Sequence, residues 1–181
     1  MEPSLLYELV RGQYRGKTDL SKQLLAYISG FLDGDGCIMA QLVYRKDYSL
    51  GYQIRLSIVF YQKEKHIKFL EYLKDQLKYG YIRIRKDGMA EYTIVGHDEV
   101  RAILEQLLPY LKLKQELARL AIKISKVSKK PNREELLRYA KLVDQSAGYN
   151  YSKKRKITSK TLEAYLESKS VPVTTDLERE R

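Results

Sequence analysis

Hydrophobic positions along the chain change period several times, and each change marks an element. Leu24, Leu25, Ile28, Phe31 and Leu32 recur at the step of an amphipathic helix. Asp19 or Ser21 suits its N-cap, and the Gly34 and Gly36 pair suits its end. The period then drops to two. Ile38, Ala40, Leu42 and Tyr44 alternate with Met39, Gln41, Val43 and Arg45, and a second run places Tyr52, Ile54, Leu56, Ile58 and Phe60 opposite Gln53, Arg55, Ser57, Val59 and Tyr61. Both read as half-buried strands joined through a turn containing Asp47, Ser49 and Gly51. Ile67, Leu70, Leu73 and Leu77 return to helical spacing over residues 63–78, with Gly80 as the stop. Residues 81–85 and 91–95 form two more strands around the hairpin signal Asp87-Gly88. Three helices follow, over residues 98–108, 112–127 and 132–147, with Asp98 capping the first and Asn132 opening the third. A short helix over residues 158–167 ends the series.

The order is αββαββα with additional C-terminal helices. Four antiparallel strands with helices on one face make an α+β domain, with no internal repeat. Residues 1–20 read as an arm in which Leu5, Leu6, Leu9 and Val10 suit one short helix, broken by Gly12 and Gly16. Residues 21–168 are expected to be the domain, and residues 169–181 a disordered tail.

Composition sharpens this. The 181 residues are 44% hydrophobic, enough for a core, yet 34 Lys and Arg stand against 23 Asp and Glu, a formal charge of +11. Such an excess favours a polyanionic partner, nucleic acid before membrane, although it also serves solubility. No apolar run is long enough to span a bilayer, and the N-terminal residues lack the pattern of a secretory signal. Cys37 is the one cysteine, which suits a reducing, intracellular compartment.

The solvent face of the four strands carries Gln41, Arg45, Asp47, Gln53, Arg55, Ser57, Arg83, Arg85, Glu91 and Thr93. Arginine reads guanine, glutamine reads adenine, and serine and threonine read either, so the set suits a major groove as well as it suits ordinary hydration. A ten-residue strand rising about 3.3 Å per residue spans about ten base pairs. A solvated sheet face would carry similar polar residues whatever its function.

Asp33-Gly34-Asp35-Gly36 falls at a helix C-terminus, where partial negative charge and unpartnered carbonyls make added carboxylates costly. That cost suggests a cation, and carboxylate and carbonyl oxygens suit Mg²⁺. A glycine-rich turn with solvated aspartates is the competing account. A calcium-binding EF-hand loop fails, because its fifth and twelfth positions would be Cys37 and Tyr44.

The stretch Leu24-Leu25-Ala26-Tyr27-Ile28-Ser29-Gly30-Phe31-Leu32-Asp33-Gly34-Asp35-Gly36 resembles the signature of the LAGLIDADG homing endonucleases, in their single-motif, homodimeric branch. The likeness extends through Ala40-Gln41, Tyr61-Gln62-Lys63, Tyr81-Ile82-Arg83-Ile84-Arg85, Pro109-Tyr110-Leu111-Lys112-Leu113-Lys114-Gln115, Val143-Asp144-Gln145 and Ser152-Lys153-Lys154-Arg155-Lys156. It spans about residues 20–168 and leaves the arm and the tail unexplained.

The resemblance implies a saddle-like sheet that cuts double-stranded DNA, with divalent metal as cofactor: Mg²⁺, with Mn²⁺ substituting and Ca²⁺ binding without cleavage. It implies a homodimer whose two motif helices pack together through Ala26, Ser29, Gly30 and Asp33. Asp35 and the Gly34 carbonyl are the implied metal ligands, and Asp33 has a more structural part. Gln62 is expected to order water, and Lys114 to stabilise developing charge or assist proton transfer. Gln41, Val43, Arg45, Asp47, Tyr48, Gln53, Arg55, Ser57, Val59, Arg83, Arg85, Glu91 and Thr93 match groove-facing positions. Ser152, Lys153 and Lys156 match a loop that touches the DNA backbone. An RNA-binding maturase, or a DNA-binding regulator without catalysis, could occupy the same fold. Intron-encoded members would sit in an organelle such as a chloroplast or mitochondrion.

His66 replaces the family's arginine four residues after Gln62, which on a shared helix would put both on one face. Imidazole loses its charge near neutral pH, so His66 as a catalytic contributor would make activity pH-sensitive. The pH–rate profiles of the parent and His66→Arg would then diverge, and identical profiles would remove this role.

Overall fold

The computed structural model describes residues 20–150 and 155–170. The expected arm and tail, apart from their innermost residues, and the expected DNA contacts Ser152 and Lys153 lie outside the described residues. The element order is α1 (Lys22–Asp35), β1 (Gly36–Tyr44), β2 (Tyr52–Lys63), a 3₁₀ turn (Glu64–His66), α2 (Ile67–Leu77), β3 (Tyr81–Ile84), β4 (Met89–Val95), α3 (His97–Leu107), α4 (Gln115–Ile124), α5 (Arg133–Ser146), a second 3₁₀ turn (Ala147–Tyr149) and α6 (Ser159–Ser170). The strands form one sheet in the order β1-β2-β4-β3.

Ser21 caps α1 by accepting the Leu24 amide (3.2 Å), and Asn132 caps α5 by accepting that of Glu135 (2.8 Å). Asp98 is not the cap of α3. That position falls to Gly96, and Asp98 lies in the first turn, where its charge complements the helix dipole. The helix expected over residues 63–78 begins later, because Gln62 and Lys63 complete β2 before the chain tightens into the 3₁₀ turn. The last helix reaches Ser170, past the expected start of the tail.

Two compact units share the described residues. The first takes its residues from 1–40 and 55–126, the second from 41–54 and 127–181. In the first unit, β2 pairs antiparallel with β4 and β4 with β3; the rows include Ile58 opposite Ile94, and Phe60 opposite Tyr92, which faces Ile82. These residues share a face with Leu56 and Ala90. With Ile28 and Leu32 of α1, Leu70, Leu73 and Leu77 of α2, and Val100, Ile103, Leu104 and Leu107 of α3, they make the core. Phe31 stacks on Phe60 (centroids 5.7 Å) and Phe60 on Tyr92 (5.8 Å). The Tyr92 hydroxyl donates to the Tyr79 carbonyl (2.6 Å), and burial holds its phenol well above the usual range. In the second unit, Leu136, Ala140 and Val143 of α5 are buried, as are Leu162 and Leu166 of α6.

No loop separates α1 from β1. Gly36 closes the helix by donating its N–H to the Leu32 carbonyl and begins the strand in the same residue. A Cβ on Gly36 would lie 2.9 Å from the Leu32 backbone and 2.5 Å from Leu32 Cδ1. The glycine is therefore needed for close approach. Gly36→Ala is expected to destabilise by about 1–3 kcal/mol, the usual scale of overpacking, read as a lowered melting temperature.

Candidate active site and groove-facing surface

The end of α1 gathers four of the expected site residues, Asp33, Asp35, Gln62 and Lys114. Asp33 is half-buried and turned towards the segment before α4. Its Oδ2 accepts the amides of Lys112 (2.7 Å) and Leu113 (3.1 Å), and its Oδ1 accepts that of Lys114 (2.9 Å). In return, Lys114 Nζ donates to the Asp33 carbonyl at the helix end. The carboxylate at a negative helix end is thus offset by three amides and one ammonium.

Asp35 is exposed. It accepts a long hydrogen bond from Gln62 Nε2 (3.4 Å) to Oδ2. Gln62 reaches it from the penultimate position of β2, on the core-facing side of the sheet, opposite Ala90. Cys37, half-buried, follows Gly36 in β1. Burial raises its thiol pKa, partly opposed by the Lys114 charge. Among the described residues no three His, Cys, Asp or Glu side chains cluster as a metal site. Among the described residues at the end of α1, Asp35 is the exposed carboxylate, and the Gly34 carbonyl belongs to the helix's terminal set that lacks intrahelical donors.

Two expectations are corrected here. Gln62 is in a strand and His66 in the 3₁₀ turn, so they share no helix face, and the ground for grouping His66 with the site falls. Ser29 is not an interface residue, because it is fully buried and its hydroxyl donates to the Leu107 carbonyl (3.1 Å). Asp33 is likewise engaged within its own chain. The small residues that do face outward on α1 are Ala26, Gly30 and Gly34, each four residues apart. A Cβ on Gly30 or Gly34 would meet nothing within 4 Å. The four-residue step, not the mere occurrence of small residues, finds this stripe.

The sheet face opposite the core distributes the expected groove residues unequally. Gln41, Arg45, Asp47, Tyr48, Arg83 and Arg85 are exposed, while Val43, Gln53 and Arg55 are half-buried. Ser57 and Val59 (2% exposed each), Thr93 (4%) and Glu91 (8%) are not open to a partner. They lie on β2 and β4, the two central strands, where neighbouring rows close over short side chains. Glu91 accepts Arg83 Nε (2.9 Å) and lies 3.9 Å from Arg85. Arg45 holds Asp47 through two hydrogen bonds (2.9 and 2.8 Å), and Arg85 holds Asp87 (2.7 Å). Mutual hydrogen bonding raises the Arg45 pKa and lowers that of Asp47, though both are exposed and the pair adds little stability. Lys156 is exposed.

Tyr81 and Tyr61 belong to the same rows, Tyr81 opposite Thr93 and Tyr61 opposite Glu91. Alternation alone places both on this face, so their parity with Arg83 and Val59 was the available signal.

The LAGLIDADG endonuclease family model matches residues 28–124. The DNA endonuclease I-CvuI of Chlorella vulgaris is 39% identical over 150 residues, 80% of this chain and 91% of that protein. The DNA endonuclease I-CreI of Chlamydomonas reinhardtii is 38% identical over 155 residues, 84% and 94%. The crystal structure of I-CvuI with the I-CreI target, its DNA uncleaved in the presence of Mg, matches with a TM-score of 0.79 at 36% identity, covering 81% of this chain and 94% of that one. A DNA complex of the archaeal intron-encoded homing endonuclease I-Vdi141I shares the fold, with a TM-score of 0.72 at 17% identity over 81% of this chain and 96% of that one.

Asp33→Ala removes the acceptor of three amides. It is expected to destabilise by about 1.5–3 kcal/mol, the scale of charge-assisted hydrogen bonds, and to raise hydrogen exchange at Lys112, Leu113 and Lys114. Unchanged exchange there would show that the amides find other partners.

Proposed function

The chain belongs to the LAGLIDADG endonuclease family, and on that premise we propose that it is a site-specific homing endonuclease. It acts as a homodimer on a long, pseudo-palindromic double-stranded DNA target. It hydrolyses one phosphodiester on each strand and leaves a staggered break that promotes intron mobility. The observation that carries this reading is the exposed Asp35 carboxylate at the negative end of α1, beside Gln62, next to an exposed stripe of Ala26, Gly30 and Gly34. Half a metal site sits beside a surface shaped for a second copy. A two-fold axis along that stripe brings the second Asp35 to the first.

The donor set fits a hard divalent cation. Asp35 and the Gly34 carbonyl would hold Mg²⁺, with Mn²⁺ as a substitute and Ca²⁺ as a binding-only replacement. The bound ion supplies activation of water and neutralisation of charge on the scissile phosphate. The chain's own residues do the rest. Gln62 orients the Asp35 carboxylate and orders water beside it. Lys114, tethered to Asp33, keeps a positive charge near the phosphate oxygens. Exposed Gln41, Arg45, Asp47, Tyr48, Arg83 and Arg85 contact base edges, and Lys156 contacts the phosphate backbone. No helix among the described residues is long and apolar enough to cross a membrane. An intron-encoded enzyme of this kind would work in a chloroplast or mitochondrion, which the position of its gene decides.

Incubation of the protein with Mg²⁺ and a randomised duplex library, followed by sequencing of cut ends, recovers the target. Asp35→Asn is expected to abolish cutting of that target while binding persists, and Ca²⁺ in place of Mg²⁺ should give the same separation. Affinity should fall by roughly 10³-fold or more between 50 and 200 mM salt, as for proteins making six or more phosphate contacts. Binding of a folded RNA in preference to duplex, or binding without cutting by the unaltered protein, would replace this reading.

A further inference from the structure

The turn joining β1 to β2 sits in the second compact unit, together with the C-terminal helices. Three aromatic rings join them. Tyr44 of β1 and Tyr52 of β2 meet edge to face (centroids 5.3 Å), and Tyr165 of α6 contacts both, at 5.9 and 5.2 Å. The Tyr165 ring also lies directly against Gly51, whose φ is +70°. A Cβ there would stand 2.4–2.7 Å from the phenol end of the ring. Lys169 completes the group one helical turn further on, with its Nζ 5.0 Å from the Tyr165 ring centroid. Hydrogen bonding from Lys169 and Tyr44 lowers the Tyr165 phenol pKa, and the Tyr44 phenol rises in response.

What this cluster holds is a set of expected readers. The turn is tied by the Arg45 amide to the Gly51 carbonyl (2.9 Å) and by the Gly51 amide to the Tyr48 carbonyl (2.8 Å). Arg45 is the neighbour of Tyr44 and Gln53 the neighbour of Tyr52, and alternation sends each to the opposite face of its strand. The Arg45 guanidinium rests 5.6 Å from the Tyr48 ring centroid and holds Asp47. Rings beneath the turn therefore fix the backbone from which Arg45, Asp47, Tyr48 and Gln53 project. Along the chain the nine residues of β1 (Gly36–Tyr44) come between Asp35 and this turn, so in the proposed enzyme the turn is assigned to the outer base pairs of the half-site.

We infer that Tyr165 is a specificity-positioning residue: α6 clamps the β1–β2 turn through the Tyr44–Tyr52–Tyr165 cluster and so sets discrimination at the outer base pairs of each half-site. This inference rests on the proposed endonuclease activity. Tyr165 touches no DNA and acts through the turn.

The experiment uses the full chain and the target recovered from the duplex library, with every base pair of the half-site varied singly. Tyr165→Leu removes the ring and keeps an apolar cover for the helix. Gly51→Ala disturbs the same contact from the strand side, and Tyr165→Phe keeps the ring. Tyr165→Leu and Gly51→Ala are each expected to lose roughly tenfold discrimination at outer positions, the scale of one well-formed base contact, with inner positions unchanged. Tyr165→Phe should retain most of it. Should either of the first two fail to fold, the other carries the test. Loss spread evenly over all positions, or no loss in a folded variant, overturns the inference while the endonuclease reading stands. Failure of the unaltered protein to cut any duplex overturns both.

Discussion

One carboxylate, Asp33, ties the end of α1 to the segment before α4. Its two oxygens accept three successive amides before α4, and the lysine that ends this series donates back to the Asp33 carbonyl. The exchange joins the C-terminus of one helix to the start of another, so the position of Lys114 is set by Asp33. It also relieves the electrostatic cost of one of two aspartates at a negative helix end. Asp35, two residues on, faces away and has only a long contact to Gln62. The division is physical: a helix advances about 100° per residue, so aspartates two apart face nearly opposite sides.

The same geometry makes the single chain incomplete. A lone exposed carboxylate with one backbone carbonyl is a weak site for a divalent cation, which prefers six or more oxygens. A surface of Ala26, Gly30 and Gly34 lets another helix approach closely. In the proposed dimer, assembly and metal affinity become linked quantities, because the ion binds best where two chains meet. A net charge of +11 per chain opposes that meeting and favours it once a polyanion lies between the subunits.

Much of this architecture was legible in the sequence because period survives without coordinates. The alternation of residues 38–45 and 52–61 and the stripe Leu70, Leu73 and Leu77 gave the strands and helices directly. The misreadings came from where period is silent. The helix read from the stripe beginning at Ile67 was carried back to Lys63 and His66 was paired with Gln62 on its face, although a strand ends at Lys63. Ser29 and Asp33 were grouped with Ala26 and Gly30 by their place in the motif, when their direction on the helix turns them towards their own chain. Ser57, Val59, Glu91 and Thr93 have the parity of groove residues, but parity does not distinguish a central strand from an edge. The Asp33 amide cradle pairs residues about eighty positions apart and left no local trace.

The joining of α1 to β1 without an intervening loop has a consequence for how such a protein changes over time. Gly36 closes the helix that carries Asp35 and opens the strand that carries the first of the proposed readers. In the proposed enzyme, the distance from the cut bond to the first base pair read would therefore be written into the covalent chain. An insertion at this junction would flip the following side chains to the wrong face or break the helix cap. New target preferences can arise by exchanging side chains along the strands, one contact at a time. The spacing between cleavage and recognition in the proposed enzyme, by contrast, would be inherited unchanged.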